Sequence, residues 1–207
     1  YAESRGWMVE AINENPGEIV LCPVGPFTNI ALALELDPSI TEKVKRVVVM
    51  GGGLDRGNVT DVAEANVWND PHAADIVFAA NWDITMIGLD VTAVTICTPE
   101  HFAKLPKSSP KIGGFLNEAA QFYFKFYKSE YDIYGCQMHD PAAVIACIRP
   151  DWFDYEQTAL EVVTEGEAIG QTARVQTDDR PLVKAAVICR QEDIIELFLS
   201  TVANDQR

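Results

Sequence analysis

Residues 45–53 read Lys-Arg-Val-Val-Val-Met-Gly-Gly-Gly, an apolar run that ends in three glycines. The apolar side chains follow one another without alternation, which is typical of a strand covered on both faces. Glycines directly after such a run indicate that the strand ends there in a loop. This stretch therefore predicts an inner strand of a parallel sheet, with a loop at its carboxyl end.

Similar short apolar runs lie on both sides of this strand and alternate with stretches of helical length. Such alternation predicts parallel strands joined by right-handed crossovers. We therefore expect an α/β fold with a mostly parallel, open doubly wound sheet flanked by helices, in a single domain over residues 1–207. The other predicted strands are residues 18–22, 84–89, 160–163 and 185–189, and the predicted helices are residues 2–14, 28–36, 70–80, 111–128, 140–148 and 191–203, with one more opening at Thr98-Pro99.

The charge balance excludes some classes of function. The chain has 16 Lys and Arg against 31 Asp and Glu, a net charge of −15 and a pI near 4.5. A nucleic-acid surface needs clustered positive charge, so we expect no nucleic-acid partner. No run approaches the about 18–20 apolar residues of a membrane span, so we expect no membrane partner either.

The cysteines indicate the compartment. Five of them are scattered along the chain without a Cys-x-x-Cys spacing. An odd, unclustered set predicts reduced thiols and neither a disulfide framework nor a zinc site. No basic segment followed by an apolar stretch opens the sequence, so we expect a cytoplasmic location. The cysteines are Cys22, Cys97, Cys136, Cys147 and Cys189.

The glycine run invites comparison with nucleotide-binding loops. Gly51, Gly53 and Gly57 are spaced G-x-G-x-x-x-G, one residue too long for the dinucleotide fingerprint. No Lys-Ser or Lys-Thr pair follows, as a P-loop would require. We therefore expect no nucleotide cofactor at this loop.

Polar residues follow the strand ends, where ligands bind in open parallel sheets. Asn58, Glu64 and Asn66 together offer donors and acceptors that suit the hydroxyl groups of a sugar. The alternative is a solvated loop with Asx-turns, a structure that such residues commonly form beside glycines.

His139-Asp140-Pro141 is a second candidate. His72 and His101 fall in predicted first turns of helices, where we expect exposure, whereas His139 precedes an apolar helix. Asp before Pro is also the usual arrangement of a helix N-cap, so a structural role for Asp140 stays open. We expect the aromatic stripe over residues 115–127 to belong to the core, although Tyr123, Tyr127, Tyr131 and Tyr134 could line a pocket.

At these residues the chain resembles the inosine-uridine preferring nucleoside hydrolase family. The resemblance rests on seven stretches in family order over essentially the whole chain, which is far more specific than any single motif. They are Gly-Pro-Phe-Thr-Asn-Ile-Ala-Leu-Ala-Leu (25–34), Val-Val-Val-Met-Gly-Gly-Gly (47–53), Gly-Asn-Val-Thr (57–60), Ala-Glu-Ala-Asn-Val-Trp-Asn-Asp-Pro (63–71), Gly-Leu-Asp-Val-Thr (88–92), His-Asp-Pro (139–141) and Gly-Gln-Thr (170–172).

The resemblance implies an enzyme that cleaves the N-glycosidic bond of purine or pyrimidine ribonucleosides with water and uses a bound calcium ion. It implies a role in nucleoside catabolism and in purine or pyrimidine salvage, and a homodimer or homotetramer. Asn58, Glu64 and Asn66 resemble the groups that bind the ribose hydroxyls, and Met50 lines the same pocket. His139 resembles the histidine that protonates or contacts the leaving base.

The metal ligands are only partly matched. Asp140 resembles a calcium-binding aspartate, and Thr28 the residue whose backbone carbonyl also binds calcium. The family begins with a strand that runs into D-x-D-x-x-x-D-D, and no such pattern occurs in this chain, where Asp178-Asp179 is the one adjacent pair. One carboxylate and one carbonyl fall short of the about 6–8 oxygens that calcium takes.

From these departures we expect a partial nucleoside hydrolase domain without its N-terminal strand, which binds calcium weakly and hydrolyses nucleosides negligibly when alone. The alternative is a non-catalytic relative that acts as a binding or assembly module. Ala65 stands where family members commonly carry an aromatic residue, so the base preference stays open.

Overall fold

The computed structural model describes residues 2–205, with side chains from residue 5 onward. Helices and strands alternate over the first half of the chain. The strands are β1 Val20–Leu21, β2 Arg46–Met50, β3 Ile84–Ile87, β4 Ile96–Cys97, β5 Cys136–Gln137, β6 Phe153–Val162, β7 Thr172–Val175 and β8 Leu182–Cys189. The helices are α1 Ala2–Glu14, α2 Thr28–Leu36, α3 Ile40–Lys43, α4 Ala65–Asn69, α5 Pro71–Ala79, α6 Leu89–Thr92, α7 Pro99–Phe102, α8 Leu105–Ser108, α9 Ile112–Tyr131, α10 His139–Ile148 and α11 Gln191–Ala203, with a 3-10 turn at Pro150–Trp152.

The main sheet confirms the predicted α/β class. Its strand order is β1-β2-β3-β8-β6-β7, and β1, β2, β3 and β8 are parallel neighbours. β6 pairs antiparallel with both β8 and β7. The sheet is therefore mostly parallel, with an antiparallel edge that the sequence pattern did not predict.

This antiparallel edge was missed because its strands are not apolar runs. β6 begins at Phe153, well before the predicted residue 160, and its buried and exposed side chains are mixed along its length. β7 is four residues long and contains Arg174, so it was not predicted at all. A strand with one solvated face carries polar residues, and its existence depends on pairing with a neighbour.

The described residues group into two compact units. The first unit runs up to Val91 and continues over Ala143–Cys189, and it holds the main sheet. Its core includes Phe27, which packs edge-on against Phe78 with ring centroids 5.8 Å apart. The second unit comprises Thr92–Ala142 and the chain from Arg190 onward, with the β4–β5 ribbon and α9. The single domain over residues 1–207 stays a prediction.

The aromatic stripe on α9 corrects one expectation. Tyr127 is buried, but Phe115 is 68% exposed and Phe122 is 73% exposed. A 20-residue helix buries only one of its faces, and here that face is set by Gly113, Ala120 and Tyr127. The prediction that the stripe belongs to the core was therefore wrong for most of its rings. Among the described helices, none combines the length and apolarity that crossing a membrane requires.

Candidate active site

Glu64 fixes the loop that follows β2. Its side chain is buried, with 3% of its surface exposed. The Oε2 atom accepts the backbone N–H groups of Gly52 at 2.9 Å, Asn66 at 2.9 Å and Val67 at 3.2 Å. The last two are the free amides at the start of α4, so Glu64 is the N-cap of that helix. One carboxylate oxygen thus ties the glycine loop to a helix start.

Asn66 and Met50 are directly joined. The side-chain Nδ2 of Asn66 donates to the backbone oxygen of Met50 at 3.1 Å and lies 3.3 Å from its sulfur atom. Met50 is the last residue of β2 and is buried. The amide is therefore held at the carboxyl end of the strand, where ligands bind in open α/β sheets.

Asn58 belongs to the same cluster through the backbone. Its Oδ1 accepts the N–H of Ala65 at 2.9 Å, and its own N–H donates to the carbonyl of Ala63 at 3.0 Å. Asn58 is exposed, and its side-chain NH₂ group donates to no residue in the described part of the chain. The structure thus brings Met50, Asn58, Glu64 and Asn66 together, as one hydrogen-bonded cluster that we call the amide cluster.

The glycines beside this cluster are explained by close packing. A Cβ on Gly51 would lie 2.8 Å from the ring of Phe27, and a Cβ on Gly52 would lie 2.7 Å from Oγ1 of Thr172. Gly52 also has φ +73, a conformation that favours glycine. The run therefore lets the backbone turn sharply against neighbouring side chains.

Asp90 holds the rest of this loop and was given no role from the sequence. Its Oδ2 accepts the N–H of Leu54 at 2.9 Å, and its Oδ1 accepts the N–H of Asp55 at 3.2 Å. Its place three residues after β3, the strand that pairs with β2, was the signal available in the sequence. Asp90 supports the loop that leads to the amide cluster.

Thr28 is the first residue of α2, and the structure shows a role for its side chain. Its Oγ1 donates to Oδ2 of Asp70 at 2.5 Å, while Oδ1 of Asp70 caps α5 through Ala73. Asp70 is therefore a helix cap. The backbone carbonyl of Thr28 lies in a first helical turn, where it accepts the amide four residues later. Its role as a calcium ligand stays a prediction.

His139 lies in the second unit between two hydroxyl groups. Its Nδ1 is 2.8 Å from Oγ1 of the buried Thr92, and its Nε2 is 3.2 Å from the hydroxyl of Tyr127. Burial lowers the pKa of His139 to about 4, so the ring is neutral at pH 7. In a neutral ring one nitrogen donates and the other accepts, so one hydroxyl donates to His139 and the other accepts from it.

Asp140 does not stand at the N-cap position that its place before Pro141 left open. α10 begins at His139, so Asp140 stands inside the first turn. Its carboxylate makes no hydrogen bond within residues 5–205, and desolvation raises the pKa of Asp140 above its usual range. Burial is the main cause that raises the pKa of Tyr127 to about 12, and the charge of Asp140 adds to it.

His139 and Asp140 border a cavity within the second unit. Its volume is about 450 Å³, in the range of small-molecule pockets. Most of its lining is apolar or aromatic, so it suits a flat, largely apolar group with a few polar edges. The lining includes Phe102, Leu116, Tyr123, Tyr127, Met138 and Phe198. The prediction that tyrosines could line a pocket is confirmed for Tyr123 and Tyr127.

The described residues do not make a calcium site. Between residues 2 and 205 no group of three or more His, Cys, Asp or Glu side chains is placed to hold a metal ion. Asp140 and Thr28 belong to different units. This donor set falls short of the about 6–8 oxygens that a calcium ion takes, so the described residues alone do not fit the ion.

The fold and the site together define an α/β protein that carries the amide cluster at the carboxyl end of the parallel part of its sheet. The chain belongs to the inosine-uridine preferring nucleoside hydrolase family, whose model matches residues 2–196.

Relatives with assigned names agree with this membership. The chain is 36% identical over 164 residues to uridine nucleosidase 1 of Arabidopsis thaliana, covering 79% of this chain and 49% of that protein. It is 41% identical over 155 residues to the inosine-uridine preferring nucleoside hydrolase of Leishmania major, covering 75% of this chain and 49% of that protein. The chain thus spans about half the length of these curated relatives. A solved plant nucleoside hydrolase superimposes with a TM-score of 0.93 at 33% identity, covering 98% of this chain and 67% of that one.

Proposed function

We propose that this protein acts in the hydrolysis of the N-glycosidic bond of ribonucleosides, which releases a nucleobase and ribose. The observation that carries the proposal is the amide cluster at the carboxyl end of β2, in a chain of the nucleoside hydrolase family. Two side-chain amides and a carboxylate offer the donors and acceptors that vicinal sugar hydroxyls need.

The amide cluster is suited to hold the ribose. Glu64 and Asn66 are each fixed by hydrogen bonds to backbone atoms, so their positions are set before a ligand arrives. The exposed NH₂ group of Asn58 is available as a donor. Cleavage of the bond leaves a ribose with oxocarbenium character, and a nearby carboxylate such as that of Glu64 favours this positive charge.

His139 is proposed to serve the leaving base. A base leaves poorly as an anion, so a proton or a strong hydrogen bond to it lowers the barrier. Because the pKa of His139 is about 4, an imidazolium at pH 7 is disfavoured. The neutral ring is instead proposed to act through a hydrogen bond to the leaving base, and its 3.2 Å contact with the Tyr127 hydroxyl orients the ring, which makes Tyr127 a positioning partner of His139.

Calcium is proposed from the resemblance alone, with Asp140 and the carbonyl of Thr28 as two of its ligands. The donor set of the described residues is incomplete. We therefore expect this chain by itself to bind calcium weakly and to hydrolyse nucleosides negligibly. A cytoplasmic location is likewise proposed from the sequence alone, and a homodimer or homotetramer from the resemblance alone.

We propose ribonucleosides as the substrate class, without a preference for one base type. One relative is named for uridine and another for inosine and uridine, that is, for a pyrimidine nucleoside and for both base types. The cavity beside His139 has room for either base type, and its apolar lining does not distinguish them.

Binding of nucleosides to the 207-residue chain tests this proposal. Calorimetry with inosine and uridine, and with hypoxanthine and uracil as controls without ribose, should show heat for the nucleosides only. Asn66→Ala should remove this heat, and Asn204→Ala, on the surface after α11, should leave it unchanged. Equal heat from bases and nucleosides, or none from either, would contradict the proposal and favour the assembly module.

The role of His139 needs a preparation that turns over nucleosides. There, His139→Ala should lower the rate for inosine and uridine far more than for a nitrophenyl riboside, whose leaving group needs no proton. Equal losses for both kinds of substrate would remove His139 as a group that serves the leaving base.

A further inference from the structure

One side of α9 presents phenylalanine rings to solvent. Phe115 is 68% exposed, Phe122 is 73% exposed and Phe126 is 42% exposed. Together with the exposed Ala119 they are spaced by four, three and four residues. In a helix of about 3.6 residues per turn, this spacing places all four side chains on one stripe. We call Phe115, Ala119, Phe122 and Phe126 the phenylalanine face.

Neighbouring rings hold two members of the phenylalanine face in place. Phe122 packs edge-on against Tyr123 with ring centroids 6.0 Å apart. Phe126 packs edge-on against the buried Tyr127 at 5.5 Å and against Tyr131 at 5.9 Å. The exposed surface is therefore ordered before a partner arrives, which lowers the entropic cost of binding.

The exposed apolar area is large enough for an interface. A buried Phe side chain covers roughly 150–250 Å², so three rings exposed to this extent present on the order of 400 Å². Contiguous apolar patches of about 300–600 Å² on a single chain often have a function. Two such faces in contact remove about 800 Å² from water, and the side chains around them bring the total towards the about 1,200 Å² at which stable interfaces begin.

The charges beside the phenylalanine face favour a second copy of this chain as the partner. Glu118 and Lys125 border the face on the same side, because seven residues bring a helix back to nearly the same direction. Both side chains are exposed, and neither forms an ion pair in the part of the chain that the structure describes. The helix thus carries one charge of each sign, symmetrically about its positions 121 and 122.

This symmetry matches an antiparallel pair of α9 helices. When a two-fold axis passes between positions 121 and 122, Glu118 of each protomer lies opposite Lys125 of its partner. In a parallel pair, Glu118 would instead lie opposite Glu118. Opposite charges at two equivalent places therefore select the antiparallel arrangement.

The apolar side chains fit the same register. With a rise of about 1.5 Å per residue, the two Phe122 rings lie side by side at the axis. Phe126 of one protomer then lies between Phe115 and Ala119 of its partner, where the small methyl group of Ala119 leaves room for the ring. Such alternation of large and small side chains lets facing helices pack closely.

We propose that the phenylalanine face of α9 is a homodimer interface, at which two α9 helices pack antiparallel across a two-fold axis. The observation that carries this is an exposed apolar face bordered by Glu118 and Lys125 in a self-complementary register. The resemblance names a homodimer or homotetramer without an interface, whereas this face is inferred from the residues of this chain. The inference does not rest on the proposed hydrolysis, because it uses neither the amide cluster nor His139.

Sedimentation velocity of the 207-residue chain tests the proposal. We expect a monomer–dimer equilibrium with a dissociation constant on the order of 1–100 µM, as for interfaces of this size. Phe122→Glu should raise this constant more than about tenfold, because it places a charge at the centre of the interface. Trp7→Glu, at a residue of α1 with 72% exposure, should leave it unchanged. A monomer at about 0.5 mM, or a dimer that Phe122→Glu leaves intact, would overturn the proposal.

Charge reversal tests the antiparallel register. Glu118→Lys should raise the dissociation constant roughly three- to tenfold, since both ion pairs become repulsive, and Lys125→Glu should do the same. The double variant Glu118→Lys with Lys125→Glu should return the constant to within about twofold of the unaltered chain. Glu165→Lys makes the same change of charge at an exposed position of the first unit and should have little effect. Failure of the double variant to restore the dimer would refute the register.

A lipid surface is the other occupant that exposed aromatic rings suit. The net charge of −15 disfavours it, because anionic headgroups repel the chain. Flotation with vesicles of phosphatidylcholine, with and without phosphatidylserine, should therefore leave the chain unbound. A chain that floats with the vesicles and stays monomeric in solution would overturn the proposal and assign the phenylalanine face to lipid. Every substituted residue is exposed, so the variants should fold, and circular dichroism checks this.

Discussion

The Oε2 atom of Glu64 accepts the backbone N–H of Gly52 at 2.9 Å, and these two residues stand twelve positions apart in the segment that joins β2 to α4. The same oxygen caps α4, so one buried atom links the glycine loop to the helix that carries Asn66. The stability of the loop and the geometry of the amide cluster therefore depend on the same side chain.

Removing this carboxylate should destabilise the chain. Glu64→Ala leaves three backbone N–H groups without their acceptor, and we expect the free energy of unfolding to fall by about 1–3 kcal/mol. Urea denaturation followed by circular dichroism measures this. Glu165→Ala, at an exposed position, should change the free energy by less than about 0.5 kcal/mol. Equal effects of the two substitutions would contradict the capping role.

A side chain at Gly52 should be costly. Gly52 has φ +73, a backbone conformation that alanine rarely adopts, and the Cβ of Gly52→Ala would lie 2.7 Å from Oγ1 of Thr172. We therefore expect a loss of about 1–3 kcal/mol in the free energy of unfolding. Gly114 in α9 has no atom within 4 Å of a built Cβ, so Gly114→Ala should stabilise the chain by up to about 1 kcal/mol. A neutral Gly52→Ala in the same urea experiment would show that the loop is not packed as described.

The stability of the chain should rise with pH between about 4 and 6.5 because of His139. Its pKa is lowered to about 4 in the folded chain, so over this range the unfolded chain binds the extra proton. The stabilisation is fully present above pH 6.5, which is near the pKa of histidine in the unfolded chain. As the pH falls towards 4, the free energy of unfolding decreases by about 3 kcal/mol. Urea unfolding at several pH values measures this slope.

Two variants test whether His139 causes the rise of stability with pH. His139→Gln should flatten it, since no titrating ring remains at the buried position. His72→Gln, at an exposed position in α5, should retain it. A slope that survives His139→Gln would mean that another group is responsible.

Calcium should bind the chain only weakly. Since the described residues offer no cluster of three metal-binding side chains, calorimetric titration should show no saturation at about 1 mM calcium. Asp140→Asn should leave this result unchanged. Saturable binding below millimolar concentration would contradict the expectation and show that the chain completes the donor set in another way.

Local signals in the sequence were sufficient for several elements. The apolar run that became β2 and the helix over residues 28–36 were predicted nearly to the residue, because a buried strand and a buried helix each require an uninterrupted local pattern. Asp70-Pro71 was predicted to open a helix, and Asp70 is its cap, because capping depends on neighbours within one turn. The resemblance pointed to the residues of the amide cluster; in the structure Asn66 bonds to Glu64 and Met50, and Asn58 bonds to the backbone of the neighbouring Ala63 and Ala65.

Other properties depend on residues that are distant in the chain. β7 exists through its pairing with β6, and the exposed face of α9 depends on what packs against the opposite face. The low pKa of His139 arises from burial, which leaves no local pattern in the sequence. Periodicity and capping act over one turn or one strand and can be read from residue order, whereas burial, strand pairing and pKa depend on which distant side chains surround a group, and these are known only after folding.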